Sequence, residues 1–242
     1  MTSSTDRVTR QEAVRREPAL SFDDLAHLMS LQTGDEKHGP AATSTLDVIW
    51  VLYDEILDVS PAALDDPGRD RFYLSKGHGP MAYYAVLAAK TFIPVEWLAG
   101  FGGADSRLGH HPDRNLVPGV EISSGSLGHG FPLAVGTALG LRAQGIDARV
   151  VCLVGDAELD EGSNAEAMAI AGSLGLSNLT VVVIDNHSSS HGWRGGVGAH
   201  FEVDGWDVQR VDGRDHLALA RALRRNVTTA PNLVVAAVEG QS

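Results

Sequence analysis

The sequence predicts a doubly wound α/β fold, with a mainly parallel sheet and helices on both of its faces. The first observation is a regular alternation of strand-like and helix-like segments after residue 126. The second is that each strand-like segment is a continuous β-branched run, as expected when helices cover both faces of a parallel sheet. With 242 residues, 43% of them hydrophobic, the chain can bury the core of one large domain. We expect that domain over 21–242, preceded by a mobile or docking arm over 1–20.

The N-terminal half of the domain is predicted to be mainly helical. Residues 21–58 carry apolar residues at spacings of three and four on both sides of a break at Gly39-Pro40. The segment RFYLSKGHGP is expected to be a loop, and 81–101 is expected to form one or two helices broken at Pro94.

A long loop is predicted in the middle of the chain. Residues 103–126 are rich in glycine and proline, so regular structure is not expected there. Such a long loop in a compact domain is usually functional, and this one carries His110, His111 and Asp113.

The C-terminal half supplies the most regular part of the pattern. The predicted elements are helix 127–143, strand 149–154, helix 163–174, strand 179–184, strand 207–211, helix 215–225 and strand 233–238. Strands that alternate with helices in this way are typical of a parallel sheet.

Composition narrows the classes of function. A net charge of −12 argues against unaided binding of nucleic acid, and a phosphorylated ligand would need a metal ion or a local positive site. The single cysteine, Cys152, lies within an apolar run, so no disulfide can form within the chain and a buried, inert thiol is expected. No apolar run is long enough to predict a membrane span, and residues 1–20 lack the apolar core of a signal peptide. We expect a cytoplasmic protein.

Two successive predicted strands end in polar residues. Asp156 follows the strand 149–154, and Asn186 follows the strand 179–184. Because ligands of such sheets bind outside the carboxyl ends of the strands, we expect both side chains at a ligand site. One carboxylate, one amide oxygen and a backbone carbonyl would suit a hard cation such as Mg²⁺, with phosphate oxygens and water as further ligands. The alternative is that Asp156 is only a helix cap or a turn residue.

Five segments share their order with the motifs of one enzyme family. They are GDAELDEGSNAEA with LSNLTVVVIDN, DRFYLSKGHGPMAYYAVLA, SRLGHHPD, PGVEISSGSLGHG and KHGPAATSTLDVIWVLY. Together they resemble the transketolase family, whose thiamine diphosphate signature is a GDG triplet followed, one helix and one strand later, by an asparagine. The resemblance covers nearly the whole chain from about residue 34.

The resemblance implies that thiamine diphosphate and Mg²⁺ (or Ca²⁺) are the cofactors. Asp156, Asn186 and the carbonyl of Ser188 would hold the cation that bridges the diphosphate. The residues implied to contact the cofactor are His78, Gly125, Ser126, Leu127, Gly155, Asp156, Ala157, Glu158, Asn186, Ser188 and Ser190.

The resemblance also implies three catalytic histidines. His38, His78 and His111 would surround the reactive part of the cofactor and the hydroxyl and carbonyl oxygens of the substrate. Imidazole suits this role because its pKa lies close to neutrality, so that it can donate a proton to a developing alkoxide and take it back.

The cofactor loop departs from the family pattern. Ala157 replaces the second glycine of the triplet, which would weaken cofactor binding if the backbone there needs a positive φ. Ser190 stands where an apolar residue is usual, His191 replaces a common aspartate, and the segment 193–204 is shorter than in the family. Lys37-His38-Gly39-Pro40 replaces Ser-Gly-His-Pro-Gly. These departures indicate an altered substrate or a cofactor site that is ordered only in a complex.

The resemblance is to the first domain of transketolases alone, and it implies the N-terminal subunit of a split, heteromeric transketolase. The implied reaction transfers a two-carbon ketol unit from a ketose-like donor to an aldehyde acceptor. A separate transketolase-like C-terminal subunit would supply the glutamate that activates the aminopyrimidine ring, most simply in a heterotetramer with two copies of each chain. Glu161 and Glu166 match family acids near the contact between two first domains.

Two other functions stay open from the sequence. One is a different thiamine diphosphate chemistry, such as 2-oxo-acid decarboxylation with ligation, because the anchoring of the diphosphate is shared among these families. The other is a non-catalytic regulatory or assembly partner that retains the fold.

Overall fold

The computed structural model describes residues 20–32, 43–189, 192–225 and 229–238. In these ranges the strands are β1 (Arg71–Leu74), β2 (Val150–Gly155), β3 (Leu179–Asp185), β4 (Asp207–Asp212) and β5 (Asn232–Ala237). The α-helices are α1 (Leu25–Ser30), α2 (Leu46–Val51), α3 (Pro80–Ala89), α4 (Gly130–Ala143), α5 (Gly162–Ser173), α6 (Val197–Val203) and α7 (His216–Arg224). The predicted arm, except for Leu20, lies outside the described residues, as do His38 and Ser190.

The five strands form one parallel sheet in the order β1-β2-β3-β5-β4. The register places Val150 beside Leu179 and Gly155 beside Ile184, so β2 and β3 reach the same edge at the same level. The predicted α/β fold with a parallel sheet is confirmed.

Helices cover both faces of the sheet and bury two separate cores. Helices α1, α2, α3 and α7 enclose one core, and α4, α5 and α6 enclose the other. Along β2, Val151 and Leu153 point into the first core, whereas Val150, Cys152 and Val154 point into the second. Because both of their faces are buried, the central strands β2, β3 and β5 need apolar residues at almost every position, which explains the continuous runs in the sequence. The edge strand β4 (DVQRVD) has no buried residue, so the expectation of a continuous β-branched run was wrong for this strand.

The structure corrects two predictions about elements. The segment RFYLSKGHGP was expected to be a loop, but its first four residues form β1, whose backbone pairs with β2. A strand this short offers no periodicity to detect. Helix α6 lies in the segment 193–204, where no helix was predicted because glycines dominate its start. The long loop 103–126 is confirmed, and the predicted helix 127–143 begins at Gly130.

The structure also bears on the predictions about Cys152 and about membrane-spanning helices. Cys152 is fully buried in β2, and burial raises the pKa of its thiol, which leaves it unreactive. Within the described part of the chain, no helix has the length and apolarity needed to cross a membrane.

Candidate functional site

Asp156 and Ser188 meet where β2 and β3 end. The N–H of Asp156 donates to the carbonyl of Ile184 (3.0 Å), which fixes the turn after β2 beside β3. The buried Asp156 carboxylate accepts hydrogen bonds from the N–H groups of Ala157 (2.8 Å), Ser188 (2.7 Å) and Ser189 (3.2 Å) and from Ser188 Oγ (2.5 Å). The structure therefore brings two of the three predicted metal-ligand residues into contact.

Asn186 directly follows β3 and is buried. Its Oδ1 atom has no hydrogen-bond partner among the described residues. An unsatisfied buried acceptor costs about 1–3 kcal/mol, so a native site that contains one normally supplies a partner such as an ion. The next residue, His187, has φ +58°, a value that is uncommon outside glycine, and it turns the chain toward Ser188.

The oxygen atoms at this edge of the sheet suit a hard cation as ligands. Four hydrogen bonds fill both oxygens of Asp156, so a cation bound there would replace one of the donors. The Ser188 hydroxyl is the donor that can rotate away without movement of the backbone. In the described ranges, no group of three or more His, Cys, Asp or Glu side chains is arranged to hold a metal. Among the described residues, the carboxylate, amide and carbonyl oxygens at this edge therefore do not compete for a cation with a cluster of such side chains elsewhere.

The alanine at position 157 fits its backbone. Ala157 begins the short 3-10 helix Ala157–Asp160, and its φ is not positive. The strain expected for a methyl group on a left-handed backbone does not arise.

Glu158, which was predicted to contact the cofactor, is buried and already engaged. Its carboxylate accepts from Ser75 Oγ (2.5 Å), the N–H of Gly128 (3.1 Å) and the N–H of Gly155 (3.4 Å). Burial raises the pKa of the Glu158 carboxyl, and these hydrogen bonds together with the nearby Lys76 oppose that rise. The side chain connects three segments of this chain.

Lys76 is a buried cation that the sequence interpretation missed. Its ammonium group donates to the carbonyl of His78 (2.6 Å). Burial lowers the pKa of Lys76 to about 8, and the nearby carboxylates of Asp156 and Glu158 oppose that fall. Lys76 could have been predicted from its position two residues before His78, a predicted catalytic histidine.

His78 and His111 are exposed and lie beside the turn 125–128. Gly125 has φ +124°, and a Cβ there would lie 2.6 Å from His111 Cγ, so the imidazole rests directly on the turn. A Cβ on Gly77, next to His78, would lie 3.1 Å from Leu127 Cδ2. The fold thus brings two of the predicted catalytic histidines to the predicted cofactor-binding turn.

The long loop that carries His111 is fastened to the domain. The hydroxyl of Tyr84 on α3 donates to the carbonyl of Gly109 (3.0 Å), which ties the loop to the domain. Within the loop, the N–H of Ser124 donates to the carbonyl of Pro112 (3.2 Å). The neighbouring His110 packs edge-on against Phe101, with ring centroids 5.4 Å apart.

A pocket of about 580 Å³ opens beside Asp156. Its lining includes Asp185, Ser189, Trp193 and Arg210. Arg210 Nη2 lies 2.8 Å from Asp185 Oδ2, so this cation neutralises a carboxylate adjacent to Asn186. Neither Arg210 nor Asp185 was among the predicted site residues. No local pattern marks Arg210, whereas Asp185 could have been found because it directly precedes Asn186.

The chain matches a known domain family over most of its length. A family model described as "Transketolase, thiamine diphosphate binding domain" matches residues 10–238. The chain belongs to this family. The transketolase resemblance inferred from the motifs is thereby confirmed, and thiamine diphosphate is the cofactor that the domain family binds.

Relatives of this transketolase-family chain differ in length. "Ferredoxin fas2" of Rhodococcoides fascians is 54% identical over 234 residues, which cover 96% of this chain and 77% of that protein. An apulose-4-phosphate transketolase subunit of Actinobacillus succinogenes is 36% identical over 184 residues, which cover 74% of this chain and 67% of that protein. Among solved structures, transketolase from Leishmania mexicana matches with a TM-score of 0.77 at 28% identity, over 91% of this chain and 37% of that one. The chain spans little more than a third of that transketolase.

Proposed function

We propose that the chain is the thiamine diphosphate- and Mg²⁺-binding subunit of a heteromeric transketolase-like enzyme. The enzyme would transfer a two-carbon ketol unit from a ketose-like donor to an aldehyde acceptor. The observation that carries the proposal is that the buried Asp156 and Asn186 follow adjoining strand ends of a transketolase-family domain, and that Asn186 Oδ1 has no hydrogen-bond partner in the part of the chain that the structure describes. Carboxylate and amide oxygens are ligands that Mg²⁺ accepts readily.

Asp156, Asn186 and the carbonyl of Ser188 would hold the cation, Mg²⁺ or Ca²⁺, and through it the diphosphate. Thiamine diphosphate, when bound, supplies the electron sink that cleavage of a carbon–carbon bond beside a carbonyl requires. The chain contributes binding and orientation. The remaining proposed contacts to the cofactor come from His78, Gly125, Ser126, Leu127, Gly155, Ala157 and Ser190. The resemblance also implied a contact from Glu158, but its carboxylate is buried and bonded within the chain, so we propose no direct contact for it.

His78 and His111 would act on the substrate. Both residues are exposed, the His111 ring lies against the turn 125–128, and Gly77, next to His78, lies against Leu127 of the same turn. From there the two imidazoles would hold or move a proton at a hydroxyl or carbonyl oxygen of the substrate. His38, which lies outside the described residues, is proposed as the third such histidine.

A second polypeptide would complete the site. The relative from Actinobacillus succinogenes is named as one subunit of a transketolase, and this chain spans 37% of the Leishmania transketolase. Leu133 on α4 and Ile170 on α5 are 51% and 48% exposed, and these neighbouring helices offer an apolar surface for association. The proposed partner is a transketolase-like C-terminal subunit, in a complex with two copies of each chain.

The name of the relative from Rhodococcoides fascians does not extend to this chain. Ferredoxin clusters are held by several cysteine thiolates. These 242 residues contain one cysteine, and it is buried. We assign no iron–sulfur cluster to them.

The test is reconstitution. The purified chain is mixed with its candidate partner, thiamine diphosphate and Mg²⁺, and we expect a co-eluting complex whose ketol-transfer activity neither chain shows alone. Full activity of this chain alone would contradict the split enzyme. Release of carbon dioxide from a 2-oxo acid would favour the alternative chemistry, and a complex that binds no cofactor would favour an assembly role.

A further inference from the structure

Three segments that carry predicted cofactor-site residues meet at one buried carboxylate. They are the exit of β1 (75–78), the turn 125–128 and the turn 155–157. Glu158 accepts a hydrogen bond from each of them, through Ser75 Oγ, the N–H of Gly128 and the N–H of Gly155. We propose that Glu158 is a positioning residue that fixes these segments relative to one another, with Lys76 as its buried counter-charge.

Glu158 is anchored at both its side chain and its backbone. The residue is 2% exposed, and its backbone carbonyl accepts from Asn164 Nδ2 of α5 (2.6 Å). Hydrogen bonds to an ionised acceptor are stronger than neutral ones, and low solvent access strengthens them further. One carboxylate can therefore hold segments that are far apart in the sequence.

Lys76 links the same acidic group to His78. The residue is 7% exposed, its methylene chain lies against Gly155, and its ammonium group donates to the carbonyl of His78. The N–H of Gly155 donates to Glu158, so the Lys76 side chain lies beside a residue that Glu158 holds. Removal of one member of a buried set of opposite charges leaves the rest uncompensated, so Lys76 and Glu158 depend on each other.

The consequence for ligand binding rests on the proposed function. Asp156 lies on one segment, His78 on another, and Gly125 with Leu127 on the third. A ligand that contacts all three binds tightly only when their spacing is set before it arrives, because ordering them during binding weakens affinity. Glu158 supplies that spacing without contact with the ligand.

Amide hydrogen exchange of the full chain without cofactor tests the positioning role. Glu158→Gln keeps the side-chain size, removes the charge and replaces one accepting oxygen by a donor. Exchange should become about tenfold faster or more in peptides covering 75–79 and 125–130 and stay unchanged in β4 and β5. Glu96→Gln, at an exposed carboxylate of the 3-10 helix Val95–Gly100, is the matched control.

Ser75→Ala is the second variant. It removes one donor to Glu158 and should give the same pattern with a smaller amplitude, which keeps the test decisive if Glu158→Gln does not fold. Exchange that is unchanged in the folded variants would overturn the positioning role.

Titration of thiamine diphosphate with Mg²⁺ into the complex with the partner subunit measures the functional effect. Glu158→Gln and Lys76→Met should each lower affinity about tenfold or more, and the double variant should lose less than the product of both factors. A purely structural role of Glu158 would lower the melting temperature and leave affinity unchanged. A double variant whose affinity loss equals the product of the two single losses would show that Lys76 is not the counter-charge of Glu158. If the wild-type complex binds no cofactor, the proposed function fails, and hydrogen exchange alone decides the role of Glu158.

Discussion

Two regions of the site differ in how their geometry is fixed. The floor, which consists of Lys76, Asp156, Glu158 and Asn186, is buried, and hydrogen bonds within the chain hold its charged groups. The rim, which consists of His78 and His111, is exposed and follows the course of two loops. Folding alone arranges the floor, whereas the action of the rim depends on what a substrate and a partner place beside it.

The difference has a physical cause. A buried charge without a partner destabilises the fold strongly, so folding selects one arrangement in which each is compensated. An exposed imidazole keeps its access to water, so burial does not force it into one arrangement as it does the charges of the floor. Asn186 Oδ1, the one oxygen of the floor without a hydrogen-bond partner among the residues that the structure describes, is the exception that indicates a ligand.

The largest effect is expected in the floor. Asp156→Ala removes the anionic metal ligand, and the affinity of the assembled complex for thiamine diphosphate with Mg²⁺ should fall by at least about a hundredfold while the fold is retained. Calorimetric titration measures the affinity, and Asp65→Ala, at an exposed aspartate, is the control. Unchanged affinity in Asp156→Ala would exclude the metal assignment.

Substitutions in the rim should act on turnover. His78→Ala and His111→Ala should each lower kcat of the reconstituted enzyme by about a hundredfold, the usual contribution of a general acid or base, and should lower cofactor affinity much less. His27→Ala, at an exposed histidine of α1, is the control. Near-normal rates in both rim variants would show that these histidines are not catalytic.

The smallest effect is expected at the boundary of the metal site. Ser188→Ala removes the hydroxyl that donates to Asp156, so the chain without cofactor should lose about 1 kcal/mol of unfolding free energy. Affinity for Mg²⁺ with thiamine diphosphate should stay within about threefold of wild type, because a bound cation would displace that hydroxyl in any case. Denaturant unfolding and titration measure the two quantities. A loss as large as that of Asp156→Ala would instead make the hydroxyl a ligand.

Much of the fold was predictable because burial on both faces shapes the sequence of every central strand. The runs that became β2, β3 and β5 are apolar at almost every position, and their predicted bounds differ from the observed ones by at most one residue at each end. Strand β1 escaped prediction because four residues carry no pattern, and α6 escaped because its start is glycine-rich.

The sequence by itself determined the parallel sheet, the loop 103–126 and the position of Asp156 and Asn186 after neighbouring strands, because these follow from local periodicity and from residues that terminate strands. The family followed from the order of five motifs along the chain. Only the tertiary structure decided that Glu158 is enclosed within the domain, that Lys76 lies against Gly155 and that Arg210 pairs with Asp185. Each of these contacts joins residues from different segments. Such contacts depend on how the helices and strands pack in three dimensions, and the spacing of residues along the chain does not encode that packing in any local pattern.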